Sequence, residues 1–454
     1  MEKKPAVIAS SCDELVLEME KMLAATDPSV EWPRWSKPSI YRVPQWLKKM
    51  THGAEDADEA YPPRLVSLGP FHHDDPDLLP MEEHKRRAVL HMAKRSGKPL
   101  REIFAAVEEV ADELMDAYHD LDEKWRCRAE RARFLQVMVV DGCFLLEIMK
   151  GLAHKKAPDD YAPNDPVFSA QGMLSLWVGI RSDMLMIQNQ VPLLALYKLE
   201  AFLSGRRGII SVAQCAKDIN KMVLDFMCDP LKAAKLAEGI DGLCLHPLDI
   251  FHKSFCGLHP PSRGSYVWES SVPSAVELRD AGIHLKKSKT VSVNGIEFKN
   301  GVLSLPALSI HDGTKKIFLN LMAFERLHSD TGTIATDYMI FMDNIIDSER
   351  DVALLRSKGI IKNLLSSDKD AADLYNTLSR GAVLSPYSKL QDVRRQVNAH
   401  CNNTWNKWKT YFRHAYLKNP WVFISLMAAV ILLIATLLQT IYTVWGFYRP
   451  SSTS

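Results

Sequence analysis

The sequence lacks the short strings that announce a familiar chemistry. No GxxxxGK(S/T), GxGxxG, HExxH or GxSxG pattern occurs in its 454 residues. That excludes the phosphate-cradling, dinucleotide-binding, zinc-protease and serine-hydrolase solutions built on those strings, and no others. An excess of one charge is also lacking: 56 Lys and Arg stand against 55 Asp and Glu, a net charge of +1. This argues against a protein that reaches nucleic acid through a global cationic field. The eight cysteines contain no CxxC pair. Several lie in apolar runs, such as Cys143 in Asp141-Gly142-Cys143-Phe144-Leu145-Leu146, which suits buried free thiols in a reducing compartment better than a disulfide framework. No internal repeat occurs. The opening residues carry Glu2, Lys3, Lys4, Asp13 and Glu14 with no apolar core between them, so a secretory signal peptide is not expected.

What is present is an ordinary globular composition, 47% apolar and 24% charged, long enough for a large core and two to four domains' worth of mass. The clearest physical signal lies near the end. From Asn419 to Tyr448 there are 30 consecutive residues without a formal charge. As a helix they reach about 45 Å, against a hydrocarbon core of about 30 Å. The 13 Val, Ile, Leu and Phe residues between Trp421 and Trp445 favour insertion by roughly 6 kcal/mol before position and polar residues are weighed. Trp421 at one end and Tyr442, Trp445 and Tyr448 at the other read as interfacial anchors. A transmembrane helix over residues 421–447 with a short tail, 448–454, is therefore expected.

Orientation follows from the flanks. Arg394, Arg395, Lys407, Lys409, Arg413 and Lys418 precede the span against Asp392 alone, and only Arg449 follows it. Such a bias places the body on the cytosolic side. Ser425, Ala429, Thr436, Gln439, Thr440 and Thr443 fall within about a 100° arc of the span, a small and polar stripe that permits helix–helix approach and a homo-oligomer. The competing reading is that the hydroxyls bond their own backbone.

The body, residues 40–416 after an arm and linker over 1–39, patterns as mainly α. Helices are expected over 81–96, 100–118, 174–199 with a break at Pro192, 212–228, 315–327, 337–346, 348–358, 368–379 and 388–416. Residues 134–149 are apolar nearly all round, the pattern of a buried helix. Between about 283 and 310 the period changes to that of a small antiparallel β-meander, with a hairpin expected at Asn294-Gly295 and a second Asn300-Gly301 further on.

Candidate chemistry is sparse. Cys244, His246, His252, Cys256 and His259 fall within 16 residues, but their spacing matches no standard zinc module. They read as core thiols and loop histidines, and no metal or cofactor is expected. His72-His73-Asp74-Asp75 reads as a solvated turn after Ser67-Leu68-Gly69-Pro70. Asp141 and Asp183 lie in apolar surroundings, so both are expected to be buried with partners such as Arg42, Arg181 or the His84-Lys85-Arg86 cluster. A catalytic carboxylate pair is the alternative.

Taken in order, many short strings resemble the plant family of domain of unknown function 247. They begin with Ile40-Tyr41-Arg42-Val43-Pro44, Val66-Ser67-Leu68-Gly69-Pro70-Phe71-His72-His73 and Met81-Glu82-Glu83-His84-Lys85. They continue through Asp141-Gly142-Cys143-Phe144, Asn189-Gln190-Val191-Pro192, Pro273-Ser274-Ala275 and Asn320-Leu321-Met322-Ala323-Phe324-Glu325. Asp351-Val352-Ala353-Leu354-Leu355, Trp405-Asn406-Lys407-Trp408 and Asn419-Pro420-Trp421 complete the series. The resemblance implies a largely helical plant protein with a C-terminal span and no established enzymatic activity. Some grass members look like determinants of self-incompatibility, which makes recognition the leading functional idea and a cell-surface module one alternative. The sequence departs from the pattern at Gln188, where Glu is usual, and at Asp74, where Gly is common.

The combined expectation is a membrane-anchored, non-enzymatic recognition or signalling protein with a cytosolic body, an unknown protein partner and no nucleic acid. Asn402-Asn403-Thr404 is the one Asn-x-Ser/Thr sequon and tests the orientation. In sealed microsomes the chain is expected to carry no glycan, and its body to be digested by protease added to the cytosolic face. A glycosidase-sensitive mass shift that vanishes in Asn402→Gln would reverse the orientation.

Overall fold

The computed structural model describes residues 14–21, 23, 37–51, 60–154, 160–205, 211–227, 239–257, 271–290, 292–382, 384–386, 388–403 and 420–448. The linker before residue 37, residues 52–59 and 258–270, and the end of the helix expected to 416 with the basic flank Lys407, Lys409, Arg413 and Lys418 lie outside the described residues. Two compact units share the chain. One comprises Met1–Pro261, His311–Ile340 and Thr377–Ser385, the other Ser262–Ile310, Phe341–Asn376 and Pro386–Ser454.

After a helical stretch at 14–21, the helices run α1 Gln45–Thr51, α2 Leu79–Ser96, α3 Leu100–Glu108, α4 Ala111–Asp116, α5 Arg128–His154, α6 Ala170–Asp183, α7 Leu193–Leu203, α8 Val212–Met227 and α9 Pro247–Cys256. Next come α10 Ala275–Asp280, strands β1 His284–Lys287, β2 Glu297–Lys299, β3 Val302–Leu305 and β4 Leu308–Ile310, then α11 Thr314–Leu327, α12 Ile334–Ile345 and α13 Glu349–Ser357. Strand β5 Ile361–Asn363, α14 Asp368–Leu378, α15 Lys389–Asn402 and α16 Pro420–Tyr448 complete the order. The fold is mainly α with two small sheets, as the patterning indicates.

The first unit is organised by α5. Its residues from Phe134 to Met149 are buried on almost every side, and α2, α3, α7 and α8 pack around it. A helix that is apolar all round can only be stable inside such a shell. The expected single helix over 100–118 is two: Val110 leaves helical dihedrals (φ −121°, ψ 16°). Leu114 and Met115 of the second helix are both buried.

The β region of the second unit corrects the expected meander. Asn294-Gly295 does not form the hairpin; Val293–Gly295 is a 3-10 turn. The two-residue turn is Asn300-Gly301, with φ of +51° and +76°, the left-handed pair that a type I′ turn needs. It joins β2 to β3 antiparallel, with Phe298 opposite Leu303. The other edge of β3 pairs with β1 in parallel, Leu285 opposite Leu303. This register makes β3 the central strand and buries Leu303 and Leu305 completely. β4 leaves that sheet and pairs in parallel with β5, Leu308 opposite Ile361. Two Asn-Gly pairs lie close together, and burial of the β3 leucines decides between them.

Helix α16 spans 29 residues, and within it Trp421–Trp445 is long and apolar enough to cross a membrane. Its side chains are nearly all exposed. The hydroxyls of Thr436, Thr440 and Thr443 each donate to the carbonyl four residues earlier, at 2.7–2.8 Å. They are satisfied within the helix.

Candidate functional site

The polar centre of the first unit is built around a segment that belongs to no helix or sheet. Residues 64–69 pass from the exposed Arg64 into the core, with Val66, Ser67 and Leu68 buried. Buried backbone N–H and C=O groups need partners, and no neighbouring strand supplies them. Side chains do so instead. Asp183, at the end of α6, accepts from the N–H of Arg64 at 3.0 Å, Leu65 at 2.7 Å and Val66 at 2.9 Å. Asn189 accepts from Leu68 N–H at 2.7 Å and donates to the carbonyls of Val66 and Asp183. Asp141, from α5, accepts from Gly69 N–H at 2.7 Å.

Lys85 of α2 closes the network. It is completely buried, and its Nζ lies 2.5 Å from a carboxylate oxygen of Asp141 and 2.5 Å from one of Glu82. It also donates to Ser67 O at 2.8 Å, while Ser67 Oγ donates to Glu82 at 2.9 Å. Burial raises the Asp141 carboxyl above the ordinary carboxylate range, with Lys85 pulling the other way. Burial likewise raises Asp183, against the pull of its three backbone N–H groups. Of the partners named from sequence for Asp141, Lys85 is the one present. Asp183 holds backbone rather than Arg181, and the two aspartates share no hydrogen-bond donor in this network.

Gly69 is required by this arrangement. Its φ is +79°, and a Cβ there would lie 2.5 Å from Gln190 O and 2.7 Å from the Tyr118 hydroxyl. Tyr118 donates to that same carbonyl at 2.8 Å. Gln190 donates to the carbonyls of Met184 and Met186, each at 2.7 Å, and accepts from Leu248 N–H. Asn320 of α11 takes the N–H of Ile187 and donates to Ala60 O. Gln188 accepts from Val43 N–H at 2.9 Å, a role that either Gln or Glu performs. Asp74 pairs with Arg133 on the surface. His72 is partly buried, and burial and the nearby Arg42 bring its pKa down to about 4.

The cysteine–histidine group resolves into separate roles. His246 caps α9, its Nδ1 accepting from Asp249 N–H at 3.2 Å while Nε2–H donates to Ser39 O at 3.0 Å. Burial lowers its pKa to about 4. Cys244 contacts Lys253 at 3.8 Å, and His259 lies outside the described residues. Only His252 and Cys256, one turn apart on α9, converge, their Nε2 and Sγ atoms 3.3 Å apart. They meet Glu325 of α11, whose Oε1 lies 2.7 Å from His252 Nε2. Sequence reasoning missed Glu325 as a donor. The four-residue spacing of His252 and Cys256 signals a shared helix face, but nothing local points across 69 residues to Glu325.

Comparison with known proteins places the chain in a plant family. A family model described as plant protein of unknown function matches residues 40–435. A UPF0481 protein of Arabidopsis thaliana is 27% identical over 445 residues, covering 90% of this chain and 86% of the relative. A putative UPF0481 protein of the same plant is 23% identical over 519 residues, covering 90% and 91%. No solved structure matches.

Two expectations follow from the site. Lys85→Met leaves Asp141 and Glu82 facing each other in the core without their cation, at a cost of about 3–5 kcal/mol. Thermal unfolding of the full chain should show a large fall in Tm, whereas Lys94→Met on the exposed face of α2 should leave it nearly unchanged. The second concerns pH. His72 and His246 are neutral in the folded body down to about pH 4 and ionise near the ordinary histidine value of 6.5 when unfolded. Between those values the unfolded chain binds more protons, so the stability they contribute is complete above pH 6.5 and is lost as pH falls toward 4. His246→Asn keeps a capping acceptor and removes one titrating ring. Its Tm should decline less steeply over that interval than that of the natural chain.

Proposed function

The chain belongs to the plant family of domain of unknown function 247, and we propose that it acts there as a membrane-anchored recognition or signalling protein rather than an enzyme. One observation carries the reading: α16 presents Trp421–Trp445 as a helix long and apolar enough to cross a membrane, with its large apolar side chains mostly exposed. A lipid bilayer is the solvent in which such a surface is stable. Trp421, Tyr442 and Trp445 project from its ends, where amphipathic rings favour the interface. The basic residues before the span favour a cytosolic body.

The polar centre supports a non-catalytic body. Asp141 and Asp183 are the acids an enzyme would draw on, yet their oxygens are engaged by Lys85 and by backbone N–H groups of the 64–69 segment. Carboxylates engaged in this way fix a fold rather than move protons. Function then falls to the surface of the body, held at the membrane for a protein partner. The Ser425, Ala429, Thr436, Gln439, Thr440 and Thr443 face adds a route to self-association by close packing, since its threonine hydroxyls are already bonded within α16.

Tagged full-length chain in plant membranes tests these statements together. It is expected to resist alkaline carbonate extraction and to form discrete crosslinked adducts with another protein. Replacing Leu432, Leu433 and Ile434 with Arg adds about 9 kcal/mol against insertion and should release the chain and abolish the adducts. Ser425→Leu with Thr436→Leu should keep insertion and reduce only homodimer adducts. Extraction of the natural chain by carbonate would defeat the anchoring reading. Adducts absent from a firmly inserted chain would defeat the recognition reading.

A further inference from the structure

We infer that His252, Cys256 and Glu325 form a binding site for one divalent transition-metal ion, zinc by the chemistry of the donors. All three residues are buried, and their ligand atoms lie within 4.8 Å of one another. The individual separations are 2.7 Å for Nε2–Oε1, 3.3 Å for Sγ–Nε2 and 3.9 Å for Sγ–Oε1. Donors on a tetrahedral zinc, with bonds of about 2.0–2.3 Å, stand about 3.3–3.6 Å apart. The two longer separations straddle that range, and the Nε2–Oε1 pair opens by about half an ångström to admit the ion.

The support around the donors is that of a held ligand set. His252 and Cys256 are locked in phase by four residues of α9. Glu325 is oriented by the start of α12: Ala335 N–H donates to Oε1 at 2.7 Å, and Thr336 donates to Oε2 through N–H at 2.9 Å and Oγ1 at 2.7 Å. Such outer hydrogen bonds fix a carboxylate for metal binding. The His252 ring meets Phe324 edge to face, with centroids 5.8 Å apart.

Charge favours the ion as well. Burial above all, and then the acidic neighbours Glu325 and Asp337, push the Cys256 thiol well above its ordinary range. Zinc binding releases the thiol proton to solvent and places the imidazole proton on Nδ1, freeing the Nε2 lone pair. Thiolate, carboxylate and Zn²⁺ then sum to zero buried charge. A thiolate and an imidazole select zinc over magnesium or calcium. Three protein ligands leave a fourth position for a small exogenous donor.

The test uses full-length chain in detergent under reducing conditions, stripped with a chelator and titrated with Zn(II). One zinc per chain and a raised Tm are expected, since a ligand of the folded state stabilises it. Co(II) in its place should show a thiolate-to-metal charge-transfer band. His252→Gln retains an N–H toward Glu325, and Cys256→Ala retains an apolar filling. Metal-free thermal unfolding identifies which of them is folded, and a folded variant should bind at least about tenfold more weakly, with a correspondingly smaller zinc-dependent Tm shift. A natural chain that retains no zinc and whose Tm ignores it would overturn the proposal. So would a folded variant that binds as tightly as the natural chain.

Discussion

An extended stretch of backbone buried among helices is the constraint on which the first unit depends. A helix satisfies its own peptide groups and a strand borrows its neighbour's, but residues 64–69 have neither resource. Each N–H or C=O left unpaired in that core would cost about 1–3 kcal/mol. Asp183, Asn189, Asp141 and Lys85 supply the missing ladder from three helices and one turn. The charges they bring inside are tolerated because they meet one another and the backbone dipoles. Lys85 is neutralised by two carboxylates, and Asp183 is held by three converging N–H groups.

That arrangement gives a physical role to several of the short strings that resemble the plant family. Gly69 is the one residue whose φ and lack of Cβ let the segment turn beneath Tyr118 and Gln190. Glu82 and Lys85 are three apart on α2, so one helix face presents both. Asn189 and Gln190 follow the end of α6, where the chain must reverse before Pro192, and their amides bond the carbonyls of that reversal. Lys85, Asn189 and Gln190 each bond the backbone of another segment, and Glu82 holds the Ser67 hydroxyl and Lys85 in place.

His252, Cys256 and Glu325 differ in kind. In the first network each acid faces several N–H donors or an ammonium. In the second, a thiol and an imidazole nitrogen with strong metal affinity face a carboxylate oriented by a helix start. The first set stabilises a chain path without outside help, and the second has the composition of a site that an ion completes. The apolar helix α16 carries neither kind of group: Trp421–Trp445 is long and apolar enough to cross a membrane.

Features carried by composition over many residues were legible without coordinates. The long apolar helix near the C-terminus was readable because its hydrophobicity sums over many consecutive residues, and α5 because an apolar surface around a whole helix has one stable environment. Helix order and most helix positions followed from periodicity, a local property. The break at Val110, the choice of Asn300-Gly301 over Asn294-Gly295, and the parallel pairing of β4 with β5 were decided by tertiary burial, because each turns on which leucines and valines meet a core that local sequence does not contain. The burial of Asp141 and Asp183 was inferable from their apolar neighbours, but the partners of Asp183 were not, since they are backbone groups with no side-chain signature. Glu325 joins His252 and Cys256 only when α11 and α9 are packed. A residue 69 positions away becomes a neighbour through the path of the folded chain, and no spacing rule encodes that path.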